Sequence, residues 1–257
     1  MNKTTVVGLL LAVFMLSGCR DKAQSSGDAA DSLAVTTKPV KVASDSVKKD
    51  KESRVEDGGR RRITDFVPQG YKLMQKVSVD LNNDGNIDCV LIIKATNKNC
   101  FGRNEHGDMT DYNRRGIIVL LNRDGKYEIV SKNLNCFKSD EQYAVGLTTR
   151  LDVNVDKGML VISFIHESNG QISYFFRFQG SDFVLIKANY YHSCGSTTIT
   201  DTVYDFLTGR GYIDTNINSD DGEKTEEYER EDFKLKKAPL LKLSEIRAFE
   251  NLEFEEE

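Results

Sequence analysis

The chain of 257 residues has no tryptophan, three prolines and three histidines. No two cysteines form a C-x-x-C pair, so neither a zinc knuckle nor a thioredoxin-type redox couple is expected. G-x-S-x-G, H-E-x-x-H and phosphate-cradling glycine loops are also missing, which removes the motif-bearing hydrolases and nucleotide binders. Positive charge is not in excess. A net charge of −5 argues against nucleic acid as a partner. No apolar run is long enough to span a bilayer. The run from Val6 to Leu16 holds about eleven residues, where a membrane helix needs roughly twenty.

That short run is nevertheless informative. Lys3 precedes it and Leu16-Ser17-Gly18-Cys19 ends it: a charged start, an apolar stretch and small residues before a cysteine. The tetrapeptide resembles the lipobox of bacterial lipoproteins. The resemblance implies that residues 1–18 are a signal peptide, that Cys19 carries a diacylglyceryl group, and that the new amino terminus takes a further acyl chain such as palmitate. Each buried CH₂ adds about 0.8 kcal/mol, so several chains together hold a protein to a membrane. The implied location is the cell envelope, lipid-anchored. Arg20 stands where an aspartate would signal retention in the inner membrane, so the periplasmic side or the outer membrane is favoured.

Residues 19–62 are polar and rich in Ser, Asp, Lys and Ala, with apolar residues only singly. Such a segment cannot bury enough apolar surface to offset the entropy of ordering it. It is expected to be a flexible acylated linker, with a typical reach of roughly 35–40 Å for its forty-odd residues.

Residues 63–257 change character. Cys89 to Ala95 and Gly116 to Leu121 are apolar on both faces, as central strands are. The Asn122 to Lys126 turn, with its Asp-Gly, leads to Tyr127–Val130 and marks a hairpin. Leu151 to Val155 alternates with period two, and Asp156-Lys157-Gly158 turns it back into Met159 to His166. Ile172 to Gln179, Phe183 to Tyr191, Thr197 to Leu207 and Gly211 to Ile217 continue the pattern, and the charged stretch Glu226 to Lys236 suits an edge strand. The expected fold is all-β, an antiparallel meander sandwich or a partial propeller-like fold. A short C-terminal helix is expected over Leu243 to Leu252, capped by Ser244. Glu253 to Glu257 reads as a solubilising tail.

Once Cys19 is set aside, Cys89, Cys100, Cys136 and Cys194 remain. In an oxidising compartment an even number suggests a disulfide framework whose pairing the spacing leaves open. Cys89, inside an apolar strand, could equally be a buried thiol.

Val79 to Asp88 is the densest polar motif. Asp80, Asn82, Asp84 and Asp88 occupy positions one, three, five and nine of a loop with Gly85 at six, and Asn86 at seven could offer its carbonyl. Calcium takes six to eight hard oxygens, and alternate side chains on a tight turn converge on one point. Leu91 stands where an EF-hand needs glutamate, so that motif fails. The stretch resembles instead the short loop of FG-GAP and related integrin-type repeats, which implies a structural Ca²⁺ held between strands. The longer pattern GYKL…DLNNDGNIDCVLIIK…RRGIIVLLN is similar to uncharacterised exported lipoproteins in which it heads a β-rich domain.

No catalytic constellation emerges, and the chain is read as a non-enzyme. His192 and Cys194 are two apart on an expected strand, and His106 lies between Glu105 and Asp108 in a polar loop. Tyr174, Phe175, Phe176, Phe178, Phe183, Tyr190 and Tyr191 could line a ligand face, but alternation sends half of them into the core. The expected function is a membrane-anchored envelope lipoprotein with a binding or structural domain, its partner a glycan, a peptide or another envelope protein. The alternative is an envelope hydrolase whose site is assembled from distant residues, such as His166 or His192 beside a carboxylate.

Overall fold

A computed structural model describes residues 62–142, 149–166, 170–194, 197–219 and 225–257. The signal peptide, Cys19 and the linker up to residue 61 lie outside the described residues. All described residues belong to one compact unit, Val55–Glu257.

The unit is all-β and antiparallel. Four strands, β1 (Tyr71–Val79), β2 (Asp88–Ala95), β5 (Arg115–Arg123) and β6 (Lys126–Phe137), form one sheet in the order β1-β2-β5-β6. A small hairpin, β3 (Phe101–Arg103) and β4 (Met109–Asp111), is inserted between β2 and β5. The second sheet is an unbroken meander of seven: β7 (Thr149–Asp156), β8 (Met159–His166), β9 (Gly170–Gln179), β10 (Asp182–Cys194), β11 (Thr197–Asp205), β12 (Arg210–Asn216) and β13 (Tyr228–Lys234).

The two sheets pack face to face. Val90, Ile92, Ile117 and Val119 from the first share a core with Leu160, Ile162, Tyr174, Phe176 and Leu185 from the second. Each such side chain stabilises the fold by about 1.5–3 kcal/mol through burial. The sandwich is therefore the realised alternative, not propeller blades. The continuous apolar runs in β2 and β5 have a second cause. Their outward residues Cys89, Leu91, Ile93, Ile118 and Leu120 are also buried, packed with Phe66, Ile63 and Val67 of the turn that opens the domain. The Asp-Gly hairpin is present, with Asp124 and Gly125 both left-handed between Arg123 and Lys126. The charged strand β13 lies at the sheet edge.

Two expectations about the C-terminal segment need correction. Leu243 to Leu252 is not one helix but two single 3-10 turns, Leu243–Glu245 and Phe249–Asn251. The buried residues Leu243, Ile246 and Phe249 are spaced by three, which suits a 3-10 turn, where i and i+3 eclipse. Asn133 also donates to the carbonyls of Leu243 (2.8 Å) and Ile246 (2.6 Å), taking acceptors that an α-helix would use internally. Ser244 does not cap a helix; its hydroxyl donates to Asp182. Glu253 to Glu257 is not a free tail. It pairs beyond β13, with Lys236 N–H donating to Glu255 O (2.9 Å) and Glu257 N–H to Lys234 O (3.0 Å). Phe254 packs on Phe206 at 4.7 Å between ring centres, which anchors the segment.

Candidate functional site

The acidic loop joins β1 to β2. Asn83 and Gly85 take left-handed backbone conformations, which bends the chain back on itself. The two carboxylate oxygens of Asp80 accept from the amides of Asp84 (3.2 Å) and Gly85 (2.9 Å). Asp84 accepts from Asn86 N–H (2.7 Å) and from the Asn82 side chain (2.8 Å), and these bonds hold its carboxyl below the ordinary range. Asp80, Asn82 and Asp84 are thus brought together on one exposed turn. Asp88 is not with them. It is fully buried, and its two oxygens accept from Leu81 N–H and Asn122 N–H, both at 2.8 Å. Burial raises its pKa against those two bonds, and the neighbouring Asp84 and Asp80 charges add to the rise. Asp88 therefore pins the loop to β5. Among the described residues no group of three or more His, Cys, Asp or Glu is disposed to hold a metal. The five residues do not form one convergent ligand set; a reduced set of Asp80, Asn82, Asp84 and the Asn86 carbonyl is what the turn gathers.

At the far end of β2 lies a cluster that the sequence reading missed. Lys94 is 1% exposed. Its ammonium lies 2.6 Å from Asp140, 2.9 Å from Asp111 and 3.7 Å from Glu141. Burial alone would lower the lysine's pKa, but the bonds and charges of Asp140 and Asp111 outweigh it and raise it. The same bonds hold Asp111 and Asp140 below the ordinary carboxylate value, against the opposing effect of burial. Glu141 also accepts from Asp111 N–H (2.8 Å), and Asn113 donates to Asp111 at 2.7 Å. One lysine thus ties together the central strand, the inserted hairpin and the turn after β6. The available signal was a lone lysine in an otherwise apolar strand.

Cys89, Cys100 and Cys136 are thiols, so the expected bridge among these three is not present. Cys89 lies on the outer face of β2 and Cys136 in the core between the sheets, on opposite sides of the four-stranded sheet. Cys100 lies beyond the opposite end of β2 from Cys89, roughly 20 Å along the strand at about 3.3 Å per residue. Burial pushes the Cys136 thiol well above its ordinary range and raises Cys89 as well, which leaves both unreactive. Cys194 ends β10 and is exposed.

The histidines are scattered. His106 is exposed, 3.5 Å from Glu105. His166 ends β8, shares a hydrogen bond with the Thr149 hydroxyl (2.8 Å), and is lowered by burial. His192 is exposed on β10. Of the aromatic series, Tyr174, Phe176 and Phe183 are buried in the core, while Phe175 faces outward with the Lys187 ammonium 5.1 Å from its ring centre. No protein-family model, curated protein or solved structure matches the chain.

A cleft of about 1060 Å³ opens where the C-terminal segment crosses the β11–β12 turn. Its floor includes Leu185, Phe206, Leu235 and Phe254, and its rim mixes Arg210 and Lys234 with Glu253 and Glu257.

Proposed function

We propose that the protein is a cell-envelope lipoprotein, tethered through acyl chains on Cys19, whose β-sandwich is a non-enzymatic binding or structural module. The observation that carries this reading is Leu16-Ser17-Gly18-Cys19 after a short apolar run. Among the described residues no helix is long and apolar enough to cross a membrane, so acyl chains are the means of attachment that this reading needs. The absence of hydrolase motifs supports the non-enzymatic part. Replacement of Cys19 by Ala is the test. The variant is expected to lose incorporated fatty acid and to leave the membrane fraction. If it stays with membranes and is still cut before residue 19, the reading fails.

The same proposal includes a structural calcium ion at the acidic loop, held by Asp80, Asn82, Asp84 and the Asn86 carbonyl. The one-three-five spacing and the gathering of these side chains on one turn support it. Calcium titrated onto the full chain is then expected to raise its melting temperature, and Asp84→Asn to abolish the rise. No heat of binding and no shift at millimolar calcium would remove the ion.

A further inference from the structure

The geometry points to a seat for a small zwitterionic amine, of the free amino-acid class, at the seam between the two sheets. Ser131 and Lys132 of β6, Asp182 of the β9–β10 turn, and Lys242, Ser244 and Glu245 of the C-terminal segment line a cavity of about 380 Å³. That volume is near the lower end for small-molecule pockets. Two groups in it are unsatisfied in complementary ways.

Asp182 is 7% exposed and sits in no ion pair, although buried carboxylates are normally paired with a cation. It accepts from Phe183 N–H (2.7 Å) and from the Ser244 hydroxyl, which leaves further lone pairs. Ser131 is 3% exposed, and its hydroxyl has no hydrogen-bond partner. Such a buried polar atom is rare and calls for a partner. A primary ammonium group answers both needs. It carries positive charge and three N–H donors, enough to bond Asp182 and Ser131 together. A metal ion suits the place less well, because two lysines line the cavity. Lys242 is held by Glu245 at 2.8 Å, and both Lys132 and Lys242 are exposed. Their charges favour a carboxylate on the outer end of the ligand, which makes the preferred ligand zwitterionic rather than a simple amine.

This assignment rests on the reading of the domain as a binding module and names the ligand class. The test titrates alanine, ethylamine and acetate onto the purified full chain, onto Asp182→Asn and onto Ser131→Ala, with binding followed by calorimetry. Alanine is expected to bind, ethylamine about tenfold more weakly, and acetate not at all. Asp182→Asn should weaken alanine binding at least tenfold and Ser131→Ala several-fold. Ser131→Ala removes an unbonded hydroxyl, so its melting temperature without ligand should be unchanged or higher, which separates lost binding from lost folding. Equal affinity for ethylamine and alanine overturns the zwitterionic assignment. Binding that appears only after Lys132→Ala or Lys242→Ala shows that the chain's own lysine fills the seat, and overturns it. Alanine binding that survives both seat variants overturns the seat and leaves the binding module standing. No binding by any probe overturns the seat and leaves only the structural form of the module. None of these outcomes touches the lipid tether, which the Cys19 variant tests separately.

Discussion

Lys94 shows how one side chain can decide the state of a whole region. It stands beside Ile92 and Ile93 in the central strand, yet its ammonium is enclosed by carboxylates instead of solvent. Removing one partner of a buried pair leaves the other charge uncompensated and costs about 3–5 kcal/mol. Lys94→Met should therefore lower stability by about that amount, seen as a lower denaturation midpoint at unchanged slope. The pH dependence follows from the directions of the shifts. Asp111 and Asp140 titrate below the ordinary 3.8, so their contribution is full above that value and lost as pH falls through their folded pKa values. Lys94 is raised above 10.5, so its contribution is full below that value and lost as pH rises through its folded pKa. Asp88 works in the opposite sense: its raised pKa means that ionisation costs stability above the folded value, and protonation relieves that cost. Both outer limbs of the stability curve should flatten in Lys94→Met, and denaturation followed across pH checks this.

Strands were largely legible because a period of two, broken by Gly and Asp-Gly turns, is a local signal. Met159 to His166 matches β8 residue for residue, and the edge position of the charged stretch around β13 follows from its lack of a buried face. Elements stabilised by distant partners were not legible. The β3–β4 hairpin is polar and short, and it is held by Asn113 and Asp111 contacts that no local pattern announces. The C-terminal turns were misread because Leu243, Ile246 and Phe249 fit a helical face as well as a 3-10 one, and only Asn133, more than a hundred residues away, decides between them. The same holds for the candidate sites. The acidic turn was legible from spacing, whereas the withdrawal of Asp88 required knowledge of β5, and the seam pocket joins three segments remote in sequence. Asn133→Ala should cost about 1–3 kcal/mol by leaving buried carbonyls unsatisfied, measured by chemical denaturation. A larger helical signal in its circular dichroism would mean that the freed carbonyls return to an α-helix.

At the scale of the whole molecule, the domain boundary is a physical question about the outer face of the four-stranded sheet. A sandwich needs to cover only the facing sides of its sheets, yet here five apolar residues on the outer side of β2 and β5 are buried as well. Their described cover comes largely from Phe66, Ile63 and Val67, which precede the first strand. These residues connect the stalk to the fold, so the chain enters the domain across the sheet that it protects. A polypeptide beginning at Arg62 keeps this cover and should melt within a few degrees of the full chain. One beginning at Gly70 loses it. Phe66 alone corresponds to about 3–5 kcal/mol by analogy with large-to-small core substitutions, a large share of the roughly 5–15 kcal/mol that holds an ordinary domain together. The shorter polypeptide should therefore melt much lower and bind a hydrophobic dye through the uncovered Leu91, Ile93 and Ile118. Equal melting temperatures for the two would mean that the outer face is kept dry by something other than the turn at 63–67, and would move the start of the folded unit into the first strand.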